Sequence, residues 1–374
     1  MKTITLFFTA ALLSMASACS PKPGTTTKIV GQFAENAPET VRFTRGYIDG
    51  TTAEEKHISF YEETVKVVNG HFETEIPKYL ATETFFRFGD QMISFVSDGS
   101  TITIDPEAHT AVSSDENGPH SQYVEFGKRW DDYQAKMFGF GNDQEARDKY
   151  IDENLGALLD YTMAVARNNR DNINGLNAFG QIYFSTLSRD EKPDPEEMLA
   201  LLNSFSDEIK TEPMSSMVFS EMFNIYDGLV KTLEGKPFVD FTVIQDPENP
   251  ETSTVKLSDY VGKGKYILVD FWHPWCGPCI AEMPNLVNVY NTYHGDNFDM
   301  LSIAVWDNLE NIAEIAKENG IVWNQIFNAQ QIPGTVYGFS AIPLTILFGP
   351  DGTILKRDLR GEQIGEAVKE ALGV

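Results

Sequence analysis

Apolar residues cluster in a short stretch at the start of the chain, alternate with polar ones through its first third, and come at helical spacing after that. Leu6-Phe7-Phe8 through Leu12-Leu13 follows the cation Lys2 and leads into small residues before Cys19. This is the pattern of a secretory signal over residues 1–19, and the run is too short to span a bilayer as a helix. Residues 20–27, rich in Pro, Gly and Thr, read as a short tether. From 28 to 110, apolar and polar residues alternate in Val41-Arg42-Phe43, Thr64–Val68, His71–Ile76, Thr84–Phe88, Met92–Val96 and Thr101–Ile104. These are short strands. Asn69-Gly70 between two alternating runs predicts a hairpin, and Asp98-Gly99 a second turn. The expectation is a small antiparallel β domain, sandwich-like.

Residues 119–235 change period. Tyr150, Ile151, Leu155, Leu158, Leu159, Met163 and Val165 fit one face of a helix over Gln144–Asn168. Asp194-Pro195-Glu196-Glu197 is a helix start, with Asp194 as cap and Pro195 at the first position. A further helix runs from Met217 to Leu233 and stops at Gly235. We read this stretch as a helical segment that positions the C-terminal domain. From 236 to 374, strand and helix patterns interleave: Thr242–Ile244 with Thr254–Leu257 as a hairpin, then the β-rich run Tyr266–Trp272, a helix through Glu282–Val287, and strands at Met300–Val305 and Leu344–Phe348. A strand at Thr353–Leu359 and a helix at Ile364–Leu372 close the chain. This alternation predicts a mixed sheet with helices on both faces.

Composition narrows the partners. The 374 residues carry a formal charge of −26, which argues against nucleic acid and anionic membrane surfaces. The three cysteines, Cys19, Cys276 and Cys279, cannot staple a scaffold. His57, His71 and His109 are scattered through the strand region and form no constellation. A structural zinc site needs a second pair of Cys or His ligands at suitable spacing beyond Cys276 and Cys279, and no further cysteine pair or paired-His motif supplies it, so we expect no metal and no cofactor.

The chemistry concentrates in Trp275-Cys276-Gly277-Pro278-Cys279. The stretch leaves a strand and opens a helix, where unpaired N–H groups and the helix dipole favour a thiolate at Cys276. Cys279 lies one turn in and can close on it. This stretch resembles the active site of the thioredoxin superfamily, in its TlpA/ResA-like extracytoplasmic branch. Pro284 falls where that family kinks its active-site helix, and Gly235–Phe241 and Ser258-Asp259-Tyr260 resemble the branch's opening segments, with Phe238-Val239 in place of Ala-Pro. The resemblance covers the last third of the chain. It implies a C-terminal α/β thioredoxin fold, preceded by the small antiparallel β domain common in such lipoproteins and by the helical segment.

By the same resemblance, Cys276 is an exposed nucleophile and Cys279 resolves the mixed disulfide. Asp270 and Glu282 are the two candidate acids for moving the Cys279 proton. Ile342 and Pro343, with Pro343 cis, offer backbone to an extended substrate segment, and Leu344 replaces the family's Thr. Trp272 and Trp275 form an apolar collar around the sulfur, against a reading of Trp272 as core. Pro278 and His273 tune the redox pair, His273 by carrying charge near Cys276, against a reading in which it is a loop histidine pointing away. Ser14–Cys19 resembles a lipobox, with Ala16 where Leu is usual, and implies lipid on Cys19. The whole reading is a lipid-anchored thiol–disulfide oxidoreductase of the cell envelope, facing the periplasm. It would reduce disulfide-containing exported proteins or serve cytochrome c maturation, and a membrane protein would supply its electrons. A disulfide oxidase or isomerase, a partner-binding lipoprotein with a secondary redox domain, and a peroxide reductase are the alternatives.

Overall fold

The structure is a computed structural model that describes residues 26–49, 57–187, 189, 192–306 and 312–374. The signal segment and Cys19 lie outside the described residues. Among those described, no helix is long and apolar enough to cross a membrane. They form two compact units. One reaches Thr186 and adds Ser204–Phe219; the other takes Leu187–Asn203 and Ser220–Val374. The helical segment expected at 119–235 is therefore divided between them.

The first unit begins with two four-stranded sheets. In one, the order is β4 (His71–Pro77), β1 (Thr26–Gln32), β7 (Thr101–Asp105), β8 (Thr110–Ser113); in the other, β3 (His57–Lys66), β2 (Thr40–Asp49), β5 (Tyr79–Phe88), β6 (Gln91–Ser97). Every pairing is antiparallel except β1 with β7. Because β1 starts at Thr26, the last two residues of the expected tether belong to a strand. Thr27 is buried, and its Oγ1 accepts from the Gly99 amide at 2.8 Å. The inward positions of both sheets, Ile29, Phe43, Phe72, Phe86, Phe95 and Ile102 among them, make one core. Phe72 and Phe86 stack across it at 5.0 Å.

Asn69-Gly70 makes its turn, with φ of +54° and +77°. Val68 and His71 exchange hydrogen bonds of 2.8 and 3.0 Å across it. The expected hairpin goes no further, because β3 pairs with β2 whereas β4 pairs with β1. Val65 and Val67 before the turn and Phe72 and Ile76 after it pack into the same core. The two arms serve that core from different sheets.

Helix α1 (Pro119–Gly139) lies on β6 and β8 and is fixed by its first turn. The His120 amide donates to Asp98 Oδ2 at 3.2 Å, and its Nδ1 accepts from the Val96 amide at 3.3 Å. The remaining ring nitrogen meets the Ala111 carbonyl at 3.0 Å. Burial holds this imidazole below its ordinary pKa. Helices α2 (Gln144–Asn168) and α3 (Ile173–Thr186) come next in the chain. In the second unit, α4 (Pro195–Asn203) is capped as expected, with Asp194 Oδ1 accepting from the Glu197 amide at 2.9 Å. Helices α5 (Asp207–Thr211) and α6 (Pro213–Lys231) complete this stretch.

The second unit is built on a five-stranded sheet of order β13 (Asn324–Ile326), β12 (Phe298–Ala304), β11 (Tyr266–Trp272), β14 (Leu344–Phe348), β15 (Ile354–Arg357). β11 runs parallel to β12 and antiparallel to β14. A two-stranded hairpin of β9 (Thr242–Ile244) and β10 (Thr254–Lys256), joined through the short helix α7 (Pro250–Ser253), precedes the sheet. Helices α8 (Gly277–Tyr293), α9 (Ile312–Glu318) and α11 (Glu362–Leu372) share one core with the sheet, and the hairpin and α10 (Ile332–Tyr337) share the other. The linker runs along the free side of β15: the Gly235 amide donates to the Ile354 carbonyl and the Ile354 amide to the Lys236 carbonyl, both at 2.8 Å. This is the mixed, two-faced α/β fold that the residue pattern predicts.

Candidate active site

The buried run of β11 ends at Trp272, and the chain turns through His273–Trp275 into α8. Cys276 caps that helix and forms a disulfide with Cys279, with Cα atoms 5.2 Å apart. The Cys279 amide points at Cys276 Sγ at 3.2 Å, so a free helix-terminal N–H faces the sulfur. Pro278 is exposed in the first turn, where a missing N–H costs the helix nothing. Opposite, the Ile342-Pro343 bond is cis, and the Ile342 carbonyl lies 3.6 Å from Cys276 Sγ. A disulfide sulfur has no proton, so this is a contact; in the reduced state the thiol could donate there.

Three side chains differ from their expected places. Cys276 is 5% exposed rather than open, because the bonded pair packs with Trp272 and Met283 and faces Ile342. Trp272 is fully buried in the same core, so it supports the disulfide from within and forms no collar. His273 is buried as well, and its Nδ1 accepts from the Trp275 amide at 3.2 Å. It therefore does not point away into solvent.

Of the two flanking tryptophans, Trp275 is the exposed one, at 66%. It stacks on Trp306 with rings 6.3 Å apart and 11° from parallel, and Trp306 in turn meets Phe339. Trp306 holds φ at +53°, a conformation uncommon for a bulky side chain.

The two candidate acids have different surroundings. Asp270 is buried in β11, and burial pushes its carboxyl up to about 7. Arg360 opposes that rise, Glu282 adds to it, and a hydrogen bond from Ser302 lowers it. Ser302 Oγ lies 3.5 Å from the carboxylate and accepts from Trp323 Nε1 at 2.9 Å. Glu282 is only half-buried, one turn beyond Cys279. Its carboxylate accepts from the Gly361 amide at 3.1 and 3.2 Å and from Asn285 Nδ2 at 2.7 Å. Among the described residues, no group of three or more His, Cys, Asp or Glu could hold a metal.

Ser302, Trp306, Trp323 and Arg360 were invisible as site residues in the sequence. Trp306 left one clue: it lies just past the carboxyl end of a strand parallel to β11, where open α/β sheets place their sites.

Residues 235–357 match the AhpC/TSA family. The thiol-disulfide oxidoreductase ResA of Geobacillus thermodenitrificans is 26% identical over 159 residues, 42% of this chain and 87% of the relative. ResA of Bacillus anthracis is 28% identical over 155 residues, 40% of this chain and 83% of the relative. Among solved structures, the thioredoxin domain of a Bacteroides vulgatus thiol-disulfide oxidoreductase is 28% identical with a TM-score of 0.32, covering 37% of this chain and 96% of the other.

Proposed function

We propose that this chain, whose C-terminal third is a thioredoxin-like thiol–disulfide oxidoreductase domain, reduces disulfides in exported proteins from a lipid-anchored position in the cell envelope. The observation that carries the redox reading is the Cys276–Cys279 pair capping α8 beside the Ile342 carbonyl. The apolar run at Leu6–Leu13 and the lipobox-like Ser14–Cys19 support export and anchoring, facing the periplasm.

In the reduced protein, the Cys276 thiolate attacks one sulfur of a substrate disulfide. The substrate S–S bond breaks, and its other sulfur leaves as a thiolate that takes up a proton. Cys279 then loses its proton to a base and attacks Cys276 Sγ, which releases the second substrate sulfur. Two electrons have passed to the substrate, and the protein is left with the disulfide seen in the structure. Asp270 is the buried carboxyl suited to take the Cys279 proton, because a group titrating at about 7 is substantially ionised near neutrality. Glu282, tied to Gly361 and Asn285, serves instead as an anchor. A membrane protein carrying a dithiol returns two electrons and two protons. Cytochrome c precursors are the exported substrates to test first, given the ResA-like resemblance.

The test is the equilibrium of the Cys276–Cys279 pair in dithiothreitol or glutathione buffers. A potential near thioredoxin's, about −270 mV, supports the reductant. A potential near that of the strong oxidant DsbA, about −120 mV, overturns it in favour of an oxidase.

A further inference from the structure

Arg360 lies on the turn between β15 and α11, outside every motif the sequence offered. Its Nη2 donates to the Pro343 carbonyl, and its Nη1 donates to the Leu359 carbonyl at 2.8 Å. The turn is held in place by the active-site helix. Glu282 and Asn285 lie three apart on one face of α8. Glu282 accepts from the Gly361 amide, and Asn285 Nδ2 bridges Glu282 and the Gly361 carbonyl. A continuous set of contacts thus leaves the helix that Cys276 caps, passes through Gly361 and Arg360 to Pro343, and returns through the Ile342 carbonyl to Cys276 Sγ.

We propose that Arg360 is a positioning residue for disulfide exchange: it fixes the Ile342–Pro343 backbone against Cys276, so that an extended substrate segment docks in register. This rests on the reductase reading above.

The experiment compares full-length wild type, Arg360→Gln and Arg360→Lys. Insulin reduction with dithiothreitol as electron source gives kcat and KM. Arg360→Gln is expected to raise KM by about tenfold, since a misplaced docking backbone weakens substrate binding. Arg360→Lys keeps the charge but not the forked donor, so its KM stays raised. An unmoved KM in Arg360→Gln, or a KM restored in Arg360→Lys, overturns the proposal. So does a loss confined to kcat, which is what a smaller folded fraction produces. Failure of the wild type to reduce insulin sinks the reductase reading, whereas a variant-specific KM change with an active wild type bears on Arg360 alone.

Discussion

Replacing Asp270 with Asn should make the second unit more stable, and by an amount that depends on pH. The carboxyl titrates at about 7 in the folded protein, against an ordinary value of 3.8. Below the ordinary value, both folded and unfolded chains hold the proton, and the charge costs nothing. As pH rises from there, the unfolded chain releases its proton while the folded one still binds it, so stability falls with pH and levels off above about 7. A difference of about 3 pH units at about 1.4 kcal/mol each gives a cost on the order of 4 kcal/mol at alkaline pH, an upper figure for a fully buried group. Asn has nothing to ionise. The assay is urea unfolding of the oxidised protein at a series of pH values, followed by tryptophan fluorescence. Trp272, Trp275, Trp306 and Trp323, four of the five tryptophans, lie in this unit. Wild type and variant should differ little near pH 4 and by several kcal/mol near pH 8.5. An equal difference at both ends would mean that Asp270 keeps no unusual proton affinity in the fold, and its proposed role as the base for Cys279 would go with it.

The geometry carries three further expectations. Cys279→Ser should accumulate a covalent mixed disulfide with protein substrates, visible on non-reducing gels, and Cys276→Ser should trap none, because only the residue facing Ile342 is placed for attack. His120, held below the ordinary histidine pKa by burial, refuses a proton that the unfolded chain accepts. Its contribution is thus present above about 6.5 and is lost as pH falls below that, so His120→Gln should flatten the acid side of the first unit's urea-midpoint profile. Gly228→Ala would put a Cβ 2.4 Å from the Thr335 carbonyl oxygen, backbone that cannot swing aside, and calorimetry should find the second unit's melting temperature lowered by about 5–10 °C.

What the sequence could disclose was what is local. The redox tetrad, the cap at Asp194, the β9–β10 hairpin and the Asn69-Gly70 turn are each set by a few neighbouring residues. Strand partners are not local. Nothing in Thr64–Ile76 says that the arms of the turn join different sheets, since both alternate in the same way and feed one core. The helical segment gives a similar lesson, because amphipathic spacing shows that a helix buries one face but not against what. At the site, Cys276 and Cys279 announce themselves. Ser302 reaches Asp270 and Arg360 reaches the Pro343 carbonyl only because β12 and the turn after β15 fold beside them, and spacing along the chain carries no trace of that. Trp272 and His273 went astray for the converse reason: proximity in sequence to a reactive cysteine suggests exposure, yet one packs as core and the other hydrogen-bonds its own turn.

The linker against β15 has a bearing on solubility. A bare outer strand invites another chain to pair with it, which is how sheets seed aggregates. Here Gly235 and Lys236 already occupy that side at Ile354, and the Phe238 amide donates to the Gly352 carbonyl. The stretch that looks like a mere connector is thus a built-in guard for the sheet. Trimming the chain to begin at β9 would strip the guard away, and the fragment should self-associate in light scattering, whereas one beginning ahead of Gly235 should stay monodisperse.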